Sequence, residues 1–415
     1  MTRNPLKRIL VVDDEPMIVS LLSTILREKG WDVTEAHSGT AGIDQLDRAR
    51  FDVILTDLVM PGDSGIDLLR AAKEIHPDVE VILMTGYATA DTAIEAMRNN
   101  AFHYILKPLK PDEVVNLVER AYSHRQLQRE NQFLKSEIRA AHHVQSVVGD
   151  SEPILRLIAT LQGIAGAGGP VLLAGERGTG RGFFARIVHF HSPRSAELCV
   201  PVYCSGVPEE ALIEELFGAP SAIEDKTFVP HSGKMELANH GTLYLADFAE
   251  AGRKVLERMD RFLADKTVVP DGGAEPIALD VRVIASSAVP VEELARRGNV
   301  PPTMLKALEP RIVRIPALRE HLEDVPLLLH HFLQEANRER KKPLRGFTSS
   351  ALSALETYDW PGNVRELRDL VRAVAGKKKQ GTMIDATDIP PEILYRNLRR
   401  HPPQYPDPFR QGGVP

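Results

Sequence analysis

Short runs of apolar, often β-branched residues recur early in the chain, and the stretches between them carry apolar positions every three or four residues. The runs are RILVVDD, WDVTEA, FDVILTD, VEVILMT and FHYILKP, all between Lys7 and about Tyr122, with helices expected through Leu26 and Leu46. An uninterrupted apolar run is a strand covered on both faces, and amphipathic crossovers supply that cover. Five such alternations predict a doubly wound, five-stranded parallel sheet, with its chemistry at the carboxyl ends of the strands.

The pattern then changes. SHRQLQRENQFLKSEIRAAHH is polar and helix-favouring, and Leu127, Asn131, Leu134, Ile138 and Ala141 fall at alternating spacings of four and three. That is the seam of a short coiled coil, with Asn131 setting register and strand number, and it predicts a homodimer or higher oligomer. The same spacing fits a single amphipathic helix packed on its own domain, and the sequence leaves both open. Beyond it, Val171-Leu172-Leu173 predicts a buried parallel strand, GERGTGRG (Gly175 to Gly182) a glycine-rich loop, Phe183 to Phe190 a helix, and GTLYLADF (Gly241 to Phe248) a second strand.

A chain of 415 residues is too long for one ordinary core, so two or three domains are expected. With 43% hydrophobic and 26% charged residues there is ample core material, and no apolar run approaches a membrane span. The N-terminus is polar and leads into a strand, which predicts a cytoplasmic protein with neither signal peptide nor membrane contact. A net charge of -6 leaves no electrostatic footprint for nucleic acid, and Lys377-Lys378-Lys379 is expected to be a solvated helix end. Cys199 and Cys204 lie close together with no metal-ligand cluster beside them, which predicts buried thiols.

Polar residues mark the ends of the first five strands: Asp13 and Asp14, then Asp57, Thr85 and Lys107. Three carboxylates at one sheet edge repel one another unless a hard cation neutralises them, which points to Mg²⁺. The middle carboxylate is then placed to act as a nucleophile toward a phosphoryl group, with the Thr85 hydroxyl and Lys107 ammonium binding the transferred oxygens. VVDD, LTDLVMPG, MTG and the KP after the fifth run resemble the receiver domain of two-component response regulators. The resemblance implies a flavodoxin-like fold with Asp57 as phospho-acceptor, Asp13, Asp14 and Asp57 around Mg²⁺, and Tyr104 as switch aromatic. It also implies a sensor histidine kinase as partner and a cis peptide at Lys107-Pro108.

In a loop of the form G-x-x-x-x-G-K-[ST], backbone N–H groups cradle phosphates and the lysine reaches the outer ones. Gly175 and Gly180 keep their places, but Arg181 stands for the lysine, and a guanidinium fork is larger than an ammonium. The second strand of such a site ends in an acidic pair; here Ala246 carries no carboxylate and Asp247 is the acid that remains. ELFG (Glu215 to Gly218), DVRVIAS (Asp280 to Ser286), IPALREHLEDV (Ile315 to Val325) and WPGNVREL (Trp360 to Leu367) resemble the AAA+ domain of sigma-54 transcription activators of the nitrogen-regulatory type.

That resemblance implies an AAA+ α/β domain with a helical lid and a candidate ATP or ADP site at Gly175, Glu176, Arg177, Gly178, Thr179, Gly180, Arg181, Asp247 and Arg365. Set against the family pattern, six catalytic positions are changed: Arg181 for the lysine, Ala246 and Asp247 for the acidic pair, Ala288 for the sensor asparagine, and Pro301 and Ala307 for the arginines of a neighbouring subunit. Only Arg365, in the lid motif WPGNVREL, keeps its sensor role available. The sigma-54-engaging loop aligns with Ala222-Ile223-Glu224-Asp225-Lys226-Thr227, where acids replace the family's central Phe-Thr pair. After Ile389 about two dozen proline-rich residues remain, too few for a helix-turn-helix, so no direct DNA binding is expected and the tail is read as disordered or as a peptide ligand.

The expected organisation is a receiver over 1–122, a helical linker over 123–146, an altered AAA+ α/β subdomain over 147–315, a helical lid over 316–395 and the tail over 396–415. The expected function is phosphorylation-controlled signalling by protein–protein contact through an AAA+ body that is not an active ATPase. The alternatives are a modulator of rings formed by an intact paralogue, and an activator of sigma-54 RNA polymerase that hydrolyses ATP without a DNA-binding domain of its own.

Overall fold

Two α/β units, residues 1–138 and 139–415, make up the chain in a computed structural model that describes residues 7–86, 98–141, 144–222, 228–270, 275–338 and 340–394. In the first unit the five apolar runs form β1 (Lys7–Val12), β2 (Trp31–Ala36), β3 (Val53–Asp57), β4 (Glu80–Thr85) and β5 (His103–Leu106). They pair in parallel in the order β2-β1-β3-β4-β5. Successive strand residues face opposite sides of a sheet, so a doubly covered strand must be apolar at both parities. Ile9 and Val11 pack with Val19, Leu22 and Leu26 of the helix Pro16–Glu28 and with Val114 and Val118. Leu10 and Val12 pack on the other side with Leu46, Leu68 and Leu69, from the helices Gly39–Arg48 and Gly65–Ile75.

One helix, Pro111–Ala141, runs through the last part of this unit and the stretch read as linker. Arg125 lies on it, fully buried at the amino end of the sheet. Its guanidinium pairs with Asp52 and Asp78 (3.0 Å to Asp78) and its Nε donates to the Asp78 carbonyl at 2.9 Å, while Arg129 Nε reaches the same Asp78 carboxylate at 2.8 Å. Beyond this clamp the described seam residues Leu127, Leu134 and Ile138 are exposed in the single chain.

The second unit carries a parallel sheet of β6 (Val171–Ala174), β7 (Cys199–Tyr203), β10 (Thr242–Ala246), β13 (Arg282–Ser287) and β14 (Ile312–Arg314), in the order β14-β6-β13-β10-β7. Between β7 and β10, β8 (Ala219–Ala222) and β9 (Phe228–His231) form an antiparallel hairpin, and between β10 and β13 lie the paired β11 (Thr267–Val268) and β12 (Ile277–Ala278). The residues joining β8 to β9, 223–227, include all but the first of those aligned with the sigma-54 loop and lie outside the described residues, as does the tail from 395. A separate core around Trp360, with Leu329, Leu367 and Val371, builds the helical lid.

Three expectations change on inspection. The helix after the glycine-rich loop starts at Arg181, two residues before the first apolar position that revealed it. Of the basic run, Lys377 ends its helix exposed and Lys379 is exposed, as expected, but Lys378 is held: its ammonium bonds to Asp385 (3.1 Å) and Asp388, while Arg340 caps the preceding helix by donating to the carbonyls of Ala375 and Lys378. Cys204 is buried but Cys199 only partly so, although burial holds both thiols in the unreactive range, at about 12 and about 11.

Candidate functional site

The first constellation sits at the carboxyl edge of the first sheet. Asp13 follows β1 and is fully buried, Asp57 ends β3 and is nearly so, and Asp14 is exposed. One oxygen from each of the three lies within 4.8 Å of the others, which suits a hard divalent cation with an all-oxygen shell. Lys107 Nζ bonds to Asp57 Oδ2 at 2.8 Å and Asp13 Oδ2 at 2.9 Å, with Glu15 at 3.8 Å. Burial raises the Asp13 carboxyl above its ordinary range despite the nearby ammonium, and the two carboxylates hold Lys107 above its own against the cost of burial.

The backbone around Asp57 is packed to a tolerance that excludes side chains. A Cβ on Gly65 would lie 2.1 Å from the Asp57 carbonyl oxygen, so only glycine lets the following helix start this close to the end of β3. Thr85 ends β4, buried, and its carbonyl accepts from Lys107 N at 2.8 Å. The Lys107-Pro108 bond is cis. Tyr104 is half-buried on the edge strand β5, edge-on to His103 with ring centres 5.7 Å apart.

The second constellation forms where β6 and β10 end in the second unit. Gly178 and Gly180 take φ of +86° and +92°, which turns the loop back over the first turn of the helix Arg181–Phe190. Arg181 and Asp247 meet face to face. The guanidinium lies along the carboxylate in a two-point ion pair, Nη1 to Oδ1 and Nη2 to Oδ2 (3.3 Å), with 9% and 18% of the side chains exposed. Asp247 adopts φ +53°, a left-handed conformation that Asp tolerates better than most residues, and this turn aims its carboxylate at the loop. Ala246, the last residue of β10, offers no oxygen ligand.

Residues not recognised from the sequence complete the arrangement. Ser286 Oγ accepts from Asp247 N at 3.3 Å and shares a hydrogen bond with the Tyr244 hydroxyl at 3.0 Å. The Tyr244 ring runs past Gly182, where a Cβ would meet it at 3.5 Å. Asn363 and Arg319 hold the loop from the lid side: Asn363 Nδ2 donates to Arg177 O (3.1 Å) and Glu176 Oε2 (3.2 Å), and Arg319 grips both Glu176 oxygens at 2.8 and 2.5 Å. These contacts, Arg319 first, hold the Glu176 carboxyl at about 2. Arg365 N donates to Gly178 O at 3.1 Å, and a Cβ on Gly178 would strike the Gly362 carbonyl at 2.0 Å. Both motifs that supply these residues, LRE and WPGN, lie in the strings that carry the AAA+ resemblance.

Of the remaining predicted residues, Gly175 and Thr179 brace the loop, the threonine hydroxyl donating to Glu176 O at 2.8 Å, and Arg177 turns outward to Glu250. Ala288, just after β13, and Pro301 and Ala307, at and within the helix Pro302–Leu308, are all half-buried. A cavity of about 490 Å³ opens between the loop and the lid. Val148, Ile315 and Phe332 line its apolar part, and Arg181, Arg365 and Arg368 its polar part.

Residues 9–119 match the response regulator receiver domain, 147–310 the sigma-54 interaction domain and 319–405 the AAA+ ATPase lid domain. The chain is 31% identical to the regulatory protein AtoC of Escherichia coli (strain K12), over 94% of its own length and 84% of that protein's. It is 32% identical to the DNA-binding transcriptional regulator NtrC of Klebsiella pneumoniae, over 95% and 83%. Crystal structures of NtrX from Brucella abortus in complex with ADP and with ATP are 28% identical, cover 94% of this chain and 85% of theirs, and superpose with TM-scores of 0.63 and 0.64.

Proposed function

This chain belongs to the NtrC-like family of sigma-54 activator response regulators, and on that premise we propose that it is switched by phosphorylation of Asp57 and signals through an AAA+ body that does not turn over ATP. The sensor histidine kinase that a receiver implies presents a phosphohistidine. A carboxylate oxygen of Asp57 forms the new P–O bond as the P–N bond breaks, and the electron pair returns to the imidazole nitrogen, which takes up a proton. Asp13, Asp14 and Asp57 would hold Mg²⁺, which would supply charge neutralisation. Lys107, already 2.8 Å from Asp57, follows the new negative charge, and the Thr85 hydroxyl binds a phosphoryl oxygen.

The observation that carries the second half is the Arg181–Asp247 ion pair. A phosphate-loop cation is useful when it points at the γ-phosphate, and a second-strand acid when it orients water or metal; here each occupies the other. Two trans arginines are replaced by Pro301 and Ala307, and one such arginine is worth about 10³ to 10⁵ in rate. The output is then a change in contacts with partner proteins, sigma-54 RNA polymerase among them, driven by oligomerisation along the exposed Leu127, Leu134 and Ile138. The cavity is kept as a nucleotide-binding site, a reading supported by the crystal structures of NtrX in complex with ADP and with ATP.

Light scattering with and without beryllofluoride, beside a phosphate-release assay, tests both halves. A change of oligomeric state that Asp57→Asn abolishes, with phosphate release at background, is expected. Turnover of ATP that Asp247→Ala removes refutes the proposal.

A further inference from the structure

Resting on the non-hydrolysing reading, we infer that the cavity between loop and lid takes a nucleoside phosphate as its metal-free anion, with no Mg²⁺. Mg²⁺ in nucleotide sites is held through one or two protein carboxylates and the phosphates, in near-ideal octahedral geometry. The wall offers two acids. Both oxygens of Asp247 face the Arg181 fork, and Glu335 stands 3.4 Å from His331. Ala246 has nothing to offer, and among the described residues the three-acid group able to hold a metal ion is that of Asp13, Asp14 and Asp57. A dication at Asp247 would lie directly against the buried guanidinium.

The anion has other partners. Three guanidinium groups, Arg181, Arg365 and Arg368, line the polar part of the cavity, so the charge normally shared between Mg²⁺ and one lysine is supplied by the protein. Guanidinium forks bind phosphate oxygens at two points, and Arg181 commits only two of its five N–H donors to Asp247. A phosphate can therefore dock on Arg181 with the ion pair intact. The base and ribose fall to Val148, Ile315 and Phe332.

Titration calorimetry of the full chain with ADP and ATP, in EDTA and in excess Mg²⁺, decides the matter. Binding in EDTA is expected, unchanged or weakened by Mg²⁺, because the metal competes for the same phosphate oxygens. Arg181→Ala should weaken binding in EDTA by about tenfold or more, the scale of one charge-assisted contact. Arg181→Lys combined with Ala246→Asp, which frees Asp247 and restores an oxygen ligand, should make Mg²⁺ tighten binding by about tenfold. Wild-type binding that requires Mg²⁺, absence of binding in both conditions, or a double variant still indifferent to Mg²⁺ overturns the inference. None of these outcomes touches the non-hydrolysing proposal, which phosphate release alone refutes.

Discussion

Removing one side of the Arg181–Asp247 pair should cost more than its position beside an open cavity suggests. Truncating one partner of a buried ion pair costs about 3–5 kcal/mol, because the other charge is left uncompensated. Here the side chains retain 9% and 18% of their exposure, so water reaches the survivor and a loss of about 2 kcal/mol is the better figure. Asp247→Asn is the cleaner change, since Asn also tolerates the φ of +53° that Ala would occupy under strain. Arg181→Met supplies the other arm, and the double variant closes the cycle with an expected coupling of about 1–2 kcal/mol. The chain's two tryptophans fall one in each unit, Trp31 and Trp360, so a Trp31→Phe background lets urea unfolding followed by fluorescence report on the second unit alone. Single-variant losses that add to the double-variant loss within about 0.5 kcal/mol would show that the pair contributes nothing as a pair, and would remove the main support for an occupied site.

Gly178→Ala should destabilise the second unit by about 1–3 kcal/mol, since it combines a left-handed φ with a clash at Gly362, and the lid core around Trp360 should lose proteolytic protection first. The Glu176 carboxyl, held at about 2 against an ordinary 4.5, binds fewer protons folded than unfolded. Its contribution is therefore complete above about pH 4.5 and lost as pH falls toward 2, and Glu176→Gln should flatten the stability curve of the second unit across that window. With thiols pushed up to about 11 and about 12, Cys199 and Cys204 should react with an aromatic disulfide reagent at pH 8 far more slowly in the folded protein than in urea; equal rates would refute the assigned burial.

The first unit was legible because its chemistry lies at strand ends, where hydrophobic runs stop and a lone acid, threonine or lysine stands out. Asp13, Asp57, Thr85 and Lys107 needed only the topology to bring them to one edge. In the second unit the sequence exposed Arg181 and Asp247 as separate departures from a pattern, each read as a loss. That they answer each other across 66 residues depends on β10 lying two strands from β6 and on one left-handed residue, and neither leaves a trace in periodicity. Tyr244 and Ser286 were invisible for a related reason: each sits at an ordinary strand position, and only the register of β10 against β13 brings their hydroxyls together. Lys378 misled because a basic run at a helix end is usually solvated, and the acids that fix it arrive seven and ten residues later.

The clamp at Arg125 gives the long helix a mechanical character. From Arg125 to Ala141 the helix extends about 24 Å at 1.5 Å per residue. Anchored by Asp52 and Asp78 at the amino end of the sheet, it is a lever with its fulcrum on the side opposite the three-carboxylate edge. A tilt of about 10° at the fulcrum would carry the far end through about 4 Å, roughly three-quarters of the pitch of an α-helix. The reach of that lever is set by the length of one helix and by where a single arginine is buried.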